Sequence, residues 1–260
     1  MNCDPSNPKG CGFVNVWQET FPVRFGTIDK SDRLTLNSIF NYFQEAAICH
    51  AENLNVGREE MIRTGQAWIL SRMSVLVERR PKYSETVTVR TWPRGWEKLF
   101  AIRNFQITDA DNVPVVSARS AWLIVDMEKR RPLRPQSLMD QLPLNEGLDT
   151  LTDGTAALEE RKNLQKISER KALYTDIDFN GHVNNVHYIQ WIEDSLDKQL
   201  LENANKTRID INYLSEIMYG EEAELLSSPI EDTNGAAFAF EGKKKENAQA
   251  AFRSELRMRV

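Results

Sequence analysis

Apolar residues recur along this chain with two different periods, and each period predicts a type of element. Around 37–53 and again around 184–203 they follow the spacing of amphipathic helices. Each predicted helix is followed by four segments in which apolar and polar residues alternate, more weakly after the second helix. The first set is rich in Val, Ile, Trp and Phe, as half-buried antiparallel strands are: QAWILSRMSVLVERR, ETVTVRTWPRGW, LFAIRNFQITDAD and VPVVSARSAWLIVDME.

The chain contains one unit twice. The segment IDKSDRLTLNSIFNYFQEA begins at Ile28 and aligns without a gap on IDFNGHVNNVHYIQWIEDS, which begins at Ile177, 149 positions later. The apolar positions of the two segments coincide, whereas most polar positions differ. This pattern indicates two copies of one fold that have kept the same core and divided the chemistry between them.

Both copies have the order strand, helix and then several strands, which predicts an α+β protein. In each copy we expect a long helix wrapped by a curved antiparallel sheet, with the two sheets paired edge to edge over both helices. The predicted organisation is a flexible leader at 1–15, a first unit at 16–128, a connector at 129–171 and a second unit at 172–260. The prolines and polar residues of the connector indicate a loop with one short helix.

The composition excludes several classes of protein. The 260 residues carry a formal net charge of −5, which argues against nucleic acid as the main partner. No apolar run approaches the roughly 20 residues that a membrane span needs, and the first residues do not resemble a signal peptide, so we expect a cytoplasmic protein. Cys3, Cys11 and Cys49 show no metal-like pairing with histidine, and we expect thiols without a catalytic role.

Charge is unevenly distributed along the chain. Residues 70–134 contain thirteen Lys or Arg against seven Asp or Glu, although the whole chain is acidic. This segment is a candidate docking surface for an acidic partner, and the alternative is that its strands turn these charges to water. The basic residues are Arg72, Arg79, Arg80, Lys82, Arg90, Arg94, Lys98, Arg103, Arg119, Lys129, Arg130, Arg131 and Arg134.

The strongest chemical signal lies where the second copy enters its helix. Asp178, Asn180 and His182 stand at alternate positions, just before a helix that is predicted to begin at 183–184. The first turn of a helix has unpaired backbone N–H groups at the positive end of the helix dipole. These groups can bind a developing oxyanion.

An aspartate or asparagine before a helix is commonly only a cap, so the motif must be compared with its own duplicate. At the equivalent positions the first copy has Asp29, Ser31 and Arg33. It therefore lacks both the histidine and the amide. We expect one active site per chain, in the second half, with the first half supplying the substrate pocket and the docking surface.

The string D-x-N-x-H-x-N-N at 178–185, followed by VHYIQWIEDSL, resembles the acyl-acyl carrier protein thioesterases of plastids and bacteria. Other stretches share the resemblance: RFGTIDKSDRLTLNSIFNYFQEAAICHAENL, ILSRMSVLVERRPKYSETVTVRTWPRG and SARSAWLIVD. The resemblance implies a double hot-dog fold, in which one chain contains two helix-plus-sheet units. This fold agrees with the internal repeat.

The resemblance further implies that Asp178, Asn180 and His182 are catalytic, and it places another catalytic acid at Glu216 on a strand beyond the helix. The cysteine that follows this acid in plant members is Ile217 here, so a cysteine nucleophile at that position is excluded. We expect Glu216 to be buried, and an unpaired buried carboxylate that served no chemistry would cost stability. Neither a metal nor a cofactor is implied.

The implied activity is hydrolysis of fatty acyl-acyl carrier protein to free fatty acid and carrier protein. Asp178 or Glu216 could activate water with support from His182 and Asn180, or Asp178 could attack the carbonyl directly, and the sequence leaves these routes open. Two other functions also remain: an acyl-CoA thioesterase and a non-catalytic protein that binds an acyl ligand. The expected partners are the acidic carrier protein, docked on the basic residues of 70–134, the fatty acyl chain and, in a homodimer, a second copy.

Overall fold

The computed structural model describes residues 4–133 and 136–259. The helix predicted around 37–53 and the four strands predicted after it are confirmed. In chain order the first unit contains β1 (Trp17–Pro22), α1 (Leu36–Asn53), α2 (Arg58–Thr64), β2 (Gln66–Val77), β3 (Thr86–Glu97), β4 (Phe100–Thr108), β5 (Pro114–Asp126), β6 (Arg131–Leu133) and α3 (Gln136–Met139).

The second unit repeats this order with shorter helices. It contains β7 (Gln165–Lys171), α4 (Asn185–Glu193), α5 (Lys198–Asn203), β8 (Lys206–Tyr213), β9 (Glu222–Pro229), β10 (Ala236–Lys244) and β11 (Ala250–Arg259). A short 3-10 helix precedes the long helix of each unit, at Phe25–Thr27 and at Tyr174–Asp176. These two turns have the same 149-residue offset as the aligned segments, so the repeat extends to the backbone.

The described strands form one sheet, and its order shows the duplication. The strands follow one another as β1-β3-β4-β5-β2-β8-β11-β10-β9-β7, with β6 attached to β5. The units join where β2 pairs with β8 in antiparallel register, from Arg72 opposite Asn212 to Val77 opposite Thr207. The predicted edge-to-edge pairing of two sheets is therefore confirmed, and the two halves are related by an approximate two-fold axis.

The two long helices lie in one core under this sheet. α1 begins after Thr35, whose hydroxyl oxygen accepts a hydrogen bond from Ser38 N at 3.1 Å and so caps the helix. Its apolar face is buried, and Phe43 packs on Phe105 of β4 with ring centroids 4.9 Å apart. Apolar residues of α4, including Ile189, belong to the same core cluster. The N-terminal turns of both helices are thereby placed at fixed positions.

The second helix is interrupted, which corrects the prediction of one helix over 184–203. α4 ends at Glu193, and Ser195 turns its hydroxyl to Ile192 O at 2.7 Å. The Asp197 side chain then accepts from Gln199 N and Leu200 N and starts α5. Because Ser and Asp side chains compete for backbone hydrogen bonds, they end one helix and cap the next.

The leader and the connector contain more structure than the sequence predicts. Residues 4–15 of the predicted flexible leader contact α1: Asn53 Nδ2 donates to Pro8 O at 2.8 Å, and Val14 N donates to Asn53 Oδ1 at 3.0 Å. In the predicted connector, β7 pairs with β9. The alternation of β7 is weak because most of its residues are exposed at the edge of the sheet. Strand structure therefore precedes the predicted start of the second unit at residue 172.

Candidate active site

The candidate site begins with a tight turn between β7 and α4. Ile177 and Val183 form an antiparallel bridge across it, and Asp178 N donates to His182 O at 3.0 Å. Gly181 has a φ of 87°, which a residue with a side chain would adopt only with strain. The turn therefore presents the side chains at 178, 180 and 182 from one short piece of backbone.

Within this turn, Asn180 holds Asp178. Asn180 N donates to Asp178 Oδ1 at 2.8 Å, and Asn180 Nδ2 lies 3.4 Å from Oδ2. The first contact is the local turn that aspartate commonly forms with the backbone two residues later. Asp178 therefore has a structural role in the turn, and this role fixes the direction of its carboxylate. The Asn180 side chain is exposed.

Glu216 approaches the turn from the segment that follows β8. Val183 N donates to Ile217 O at 2.8 Å, and His182 forms an isolated bridge with Met218. These backbone contacts place the carboxylate of Glu216, the residue before Ile217, beside the imidazole of His182. The structure thus brings together residues that are more than thirty positions apart in the chain.

His182 lies between the two carboxylates. Its Nδ1 is 3.9 Å from Asp178 Oδ1, and its Nε2 is 3.8 Å from Glu216 Oε1. The side chains of Asp178 and His182 are 20% and 18% exposed, whereas that of Glu216 is 58% exposed. Nδ1 also lies 3.5 Å from Val183 O. Each ring nitrogen therefore has one carboxylate just beyond direct hydrogen-bond distance, and the Glu216 side of the site is accessible to water.

The environment of Glu216 corrects two predictions. The residue is exposed rather than buried, and it lies beyond the end of β8 at Tyr213 rather than on a strand. The chain leaves the sheet here because Leu214 N and Ser215 N both bond to Ala251 O. The argument that burial alone marks Glu216 as functional is therefore wrong. Its candidacy depends on its distance to His182.

Tyr188 is buried beneath the site and belongs to no motif in the sequence. Its ring stacks on Phe252 with centroids 4.9 Å apart. Burial raises the pKa of Tyr188, a hydrogen bond with the backbone of Ile217 lowers it, and the charges of Glu216 and Asp178 raise it. The phenol therefore stays protonated and supports the Glu216 segment. The sequence marks Tyr188 as unusual only through the repeat: it aligns with Ile39 and so places a hydroxyl at a position that is apolar in the first copy.

The equivalent place in the first unit is occupied by an ion pair. Leu34 N donates to Pro81 O as Val183 N does to Ile217 O, so Arg80 is the structural counterpart of Glu216. Arg80 Nη1 lies 2.6 Å from Asp29 Oδ2, and Arg80 Nη2 donates to Leu201 O at 2.7 Å. Both units have an aspartate at this position, Asp29 and Asp178, and in the first unit Arg80 neutralises it. This agrees with one active site per chain.

Arg58 of α2 lies beside the turn, and the sequence analysis did not identify it. Its guanidinium stacks over the exposed ring of Phe179 at 4.3 Å from the centroid. At the other end of α2, Gly65 O accepts from Met127 N of the turn that carries Arg130 and leads into Arg131, the first residue of β6. These three exposed arginines of the first unit (Arg58, Arg130 and Arg131) are here called the basic rim, and Arg58 is the one that contacts the turn.

The basic residues of 70–134 do not form one surface. Arg79 pairs with Glu85 and Asp109, Arg80 is buried, and Arg94 pairs with Asp149. Arg103 lies inside the first unit, where its Nη1 is 3.1 Å from His50 Nδ1. Lys82 is exposed, but it borders the duplicate turn of the first unit, where it forms a bridge with Arg33. Arg134 lies outside the described residues.

The thiol of Cys49, the cysteine whose side chain is described, stays protonated at neutral pH. Cys49 of α1 is half-buried, and burial together with the charge of Glu19 raises its pKa to about 11. Since the thiolate is the nucleophilic form, this thiol is unreactive. Cys3 lies outside the described residues. In the described part of the chain no cluster of three or more His, Cys, Asp or Glu residues could hold a metal ion, and no helix could cross a membrane.

The fold and the site define a two-unit hot-dog protein with one carboxylate-histidine centre. The family description "Acyl-ACP thioesterase N-terminal domain" matches residues 14–140, and "Acyl-ACP thioesterase C-terminal domain" matches residues 159–257. The chain belongs to the acyl-ACP thioesterase family. The resemblance, the α+β class and the double hot-dog fold are thereby confirmed.

Curated relatives are plant enzymes that are longer than this chain. The chloroplastic palmitoyl-acyl carrier protein thioesterase of Cuphea hookeriana is 28% identical over 254 residues, which cover 89% of this chain but 60% of the relative. The chloroplastic oleoyl-acyl carrier protein thioesterase of Coriandrum sativum is 25% identical and covers 93% of this chain and 69% of its own length. The chain thus spans about three fifths of the first relative.

Solved structures match nearly the whole chain. The acyl-ACP thioesterase from Bacteroides thetaiotaomicron superposes with a TM-score of 0.83 at 25% identity and covers 98% of this chain and 100% of its own. The 12:0-ACP thioesterase from Umbellularia californica superposes with a TM-score of 0.82 at 20% identity and covers 95% and 98%. At that identity the second match shows the fold alone.

Proposed function

We propose that this protein hydrolyses the thioester of fatty acyl-acyl carrier protein to free fatty acid and carrier protein. The observation that carries the proposal is His182 between Asp178 and Glu216 at the N-terminal turn of α4. Membership of the acyl-ACP thioesterase family and the names of the relatives support the same substrate class.

In the proposed mechanism Glu216 is the general base. Its exposed carboxylate meets water on the Nε2 side of His182, and a water held by both groups can attack the thioester carbon. A C–O bond forms as the proton passes to Glu216. Asp178, fixed by Asn180 N, faces Nδ1 and orients the imidazole.

The second half of the reaction needs little from the protein. The tetrahedral intermediate places a negative charge on the former carbonyl oxygen, and the first turn of α4 directs its backbone dipoles there. When the intermediate collapses, the C–S bond breaks and the sulfur leaves as a thiolate with the electron pair. The proton on Glu216 returns to solvent or to the thiolate. A thiolate is a good leaving group, so a dedicated acid is unnecessary.

The docking surface of the carrier protein is proposed at the basic rim. The rim adjoins the catalytic turn through the stack of Arg58 on Phe179, and its arginines are exposed. An acidic partner bound there would have its acyl group next to His182. Of the basic residues predicted from 70–134, this proposal retains Arg130 and Arg131 and sets aside Arg79, Arg80 and Lys82, which lie near the duplicate turn.

The proposal is tested by measuring free fatty acid released from acyl-carrier protein thioesters of graded chain length, with the same acyl groups on CoA in parallel. We expect release from the carrier-protein substrates with a higher kcat/KM than from CoA, and loss of release in His182→Ala. A preference for CoA would favour the acyl-CoA thioesterase. Binding of acyl groups without any release would favour the non-catalytic alternative.

We propose a cytoplasmic location and a homodimer as two separate expectations. Fractionation of cells that express the full-length protein checks the first. Light scattering of the purified chain over a range of concentrations checks the second. A mass equal to one chain at every concentration would contradict the dimer.

A further inference from the structure

The N-terminus of α1 binds a carboxylate that belongs to the chain itself. Glu193, the last residue of α4, accepts from Leu36 N at 2.9 Å through Oε1 and from Asn37 N at 3.1 Å through Oε2. Burial raises the pKa of this carboxylate, while the two backbone bonds and Arg80 lower it. The first turn of α1 is therefore already occupied by an anion, as helix N-termini favour.

The internal repeat identifies the counterpart of this contact at the candidate site. At the offset of 149 residues, Leu36 corresponds to Asn185, Asn37 to Val186 and Glu193 to Gln44. The same offset relates the helix caps Thr35 and Asn184. Asn37 Nδ2 donates to Val186 O at 3.1 Å, so equivalent residues meet at the approximate two-fold axis. By that symmetry the half-buried Gln44 of α1 is the counterpart of Glu193 and should face the N-terminus of α4.

Gln44 differs from Glu193 in one property, its charge. Glutamine has the length and shape of glutamate, but its side chain ends in an amide with two N–H donors. In α4, Asn184 Oδ1 already accepts from Val186 N at 3.2 Å. Asn185 N and Val186 N are the counterparts of Leu36 N and Asn37 N. Because the cap occupies Val186 N, Asn185 N is the donor of these two that remains for a substrate oxygen. An oxyanion is best stabilised by two donors, so a second donor is needed beside Asn185 N.

We propose that Gln44 is a catalytic residue supplied by the first unit: its side-chain amide donates a hydrogen bond to the thioester oxygen, next to the N–H of Asn185. The inference rests on the proposed thioester hydrolysis and deepens it, because the site becomes a joint product of both units. In the tetrahedral intermediate the charge lies on this oxygen, and Gln44 transfers no proton. A neutral side chain at this position also leaves the N-terminus of α4 free to bind a substrate oxygen. A carboxylate there would occupy it, as Glu193 occupies the N-terminus of α1.

The decisive variant is Gln44→Glu, which recreates the Glu193 contact at α4. We expect the new carboxylate to accept from Asn185 N, so that kcat/KM falls by about 10² or more while the protein unfolds no earlier than wild type. The ratio of variant to wild-type activity should increase as pH falls, because a protonated glutamate no longer competes as an anion. Wild-type kcat/KM in Gln44→Glu would overturn the proposal.

Gln44→Ala removes the donor without adding a charge, and we expect kcat to fall by about 10 to 10² with little change in KM. The matched control is Asn41→Glu, which adds the same charge on the exposed face of the same helix and should leave kcat unchanged. If Gln44→Ala changed only the melting temperature, Gln44 would be a packing residue and the proposal would be wrong.

A binding measurement separates this inference from the proposed function. Calorimetric titration with sodium laurate should show binding to wild type and to Asn41→Glu, and at least tenfold weaker binding to Gln44→Glu, whose own carboxylate competes for the same donor. If wild type released no fatty acid but this difference persisted, the proposed function would fail and the Gln44 site would stand. Equal laurate affinity of wild type and Gln44→Glu would overturn the Gln44 site.

Discussion

Arg80 forms an ion pair with Asp29 at 2.6 Å, at the place where the second unit has Glu216 beside His182. The two units therefore use one backbone arrangement for two purposes. In the first, an aspartate and an arginine neutralise each other, and in the second, two carboxylates flank a histidine. The difference follows from a few side chains, because the backbone contacts of the two turns are the same and a side chain caps each helix.

Arg80→Met should destabilise the protein without changing the chemistry. The Arg80 side chain is 5% exposed and that of Asp29 is 23% exposed, so removal of the cation leaves a mostly buried carboxylate without its partner. We expect the free energy of unfolding to fall by about 2–4 kcal/mol, with kcat within twofold of wild type. Urea titration measures the first quantity. Unchanged stability would show that the pair contributes nothing.

Replacement of the two equivalent residues His182 and Arg33 by alanine should have unequal effects. His182→Ala removes the imidazole that holds the attacking water in the proposed mechanism, and we expect kcat to fall by about 10² or more. Arg33→Ala removes a contact with Ala204 O at 3.4 Å and should affect stability or binding at most. Steady-state assays of both variants on one acyl-carrier protein check this. Similar losses in kcat would show that the site is not confined to the second unit.

The two carboxylates should behave as one unit. Asp178→Asn and Glu216→Gln keep the shape of each side chain and remove the charge, and each should lower kcat by at least about 10². Since residues that act together are not additive, the double variant should be scarcely slower than the slower single variant. Thermal melting of Glu216→Gln, an exposed position, should match wild type. A Glu216→Gln enzyme with wild-type kcat would leave Asp178 and His182 to carry the chemistry.

Charge reversal on the basic rim should affect only the large substrate. Arg130→Glu combined with Arg131→Glu should raise KM for acyl-carrier protein and leave KM for a small thioester unchanged, with a weaker dependence of KM on salt. Lys82→Glu is the matched control beside the duplicate turn and should leave both values unchanged. An equal rise for both substrates in the arginine variant would contradict docking at the rim.

His50 should make stability depend on pH. Its Nε2 donates to Val14 O at 2.8 Å, and burial first and the charge of Arg103 second lower its pKa from 6.5 to about 3. The unfolded chain therefore binds a proton near pH 6.5 that the folded chain binds only near pH 3. Stability is complete above pH 6.5 and falls as the pH decreases through this window.

Between pH 7 and pH 5 this difference amounts to about 2 kcal/mol of unfolding free energy. Denaturant titrations at both pH values measure it. In His50→Gln the loss over the same interval should be smaller by that amount. An equal loss in wild type and His50→Gln would assign the pH dependence to other groups.

Much of the fold follows from patterns that the sequence contains. The alternation in β2 to β5 and the apolar face of α1 reflect burial on one side of each element, so the pattern determines type and position. The break between α4 and α5 could not be predicted in this way, because it depends on Ser195 and Asp197 competing for backbone bonds. β7 was missed because an exposed edge strand has little apolar alternation.

The candidate site was predictable in part. Asp178, Asn180 and His182 stand close together in the chain, and their duplicate at Asp29, Ser31 and Arg33 made the comparison possible within one sequence. The exposure of Glu216 was predicted wrongly, because apolar neighbours such as Leu214 do not indicate burial once the chain has left the sheet. Tyr188 had no motif of its own.

The sequence alone determined that this protein is a duplicated α+β fold with its candidate catalytic motif in the second copy, because local periodicity and a gapless repeat are properties of chain order. Only the tertiary structure decided that Arg80 replaces Glu216 in the first unit and that Glu193 of α4 binds the N-terminus of α1. These relationships arise from hydrogen bonds and helix packing between segments far apart in the chain. Such contacts depend on distances in space, which no pattern of neighbouring residues encodes.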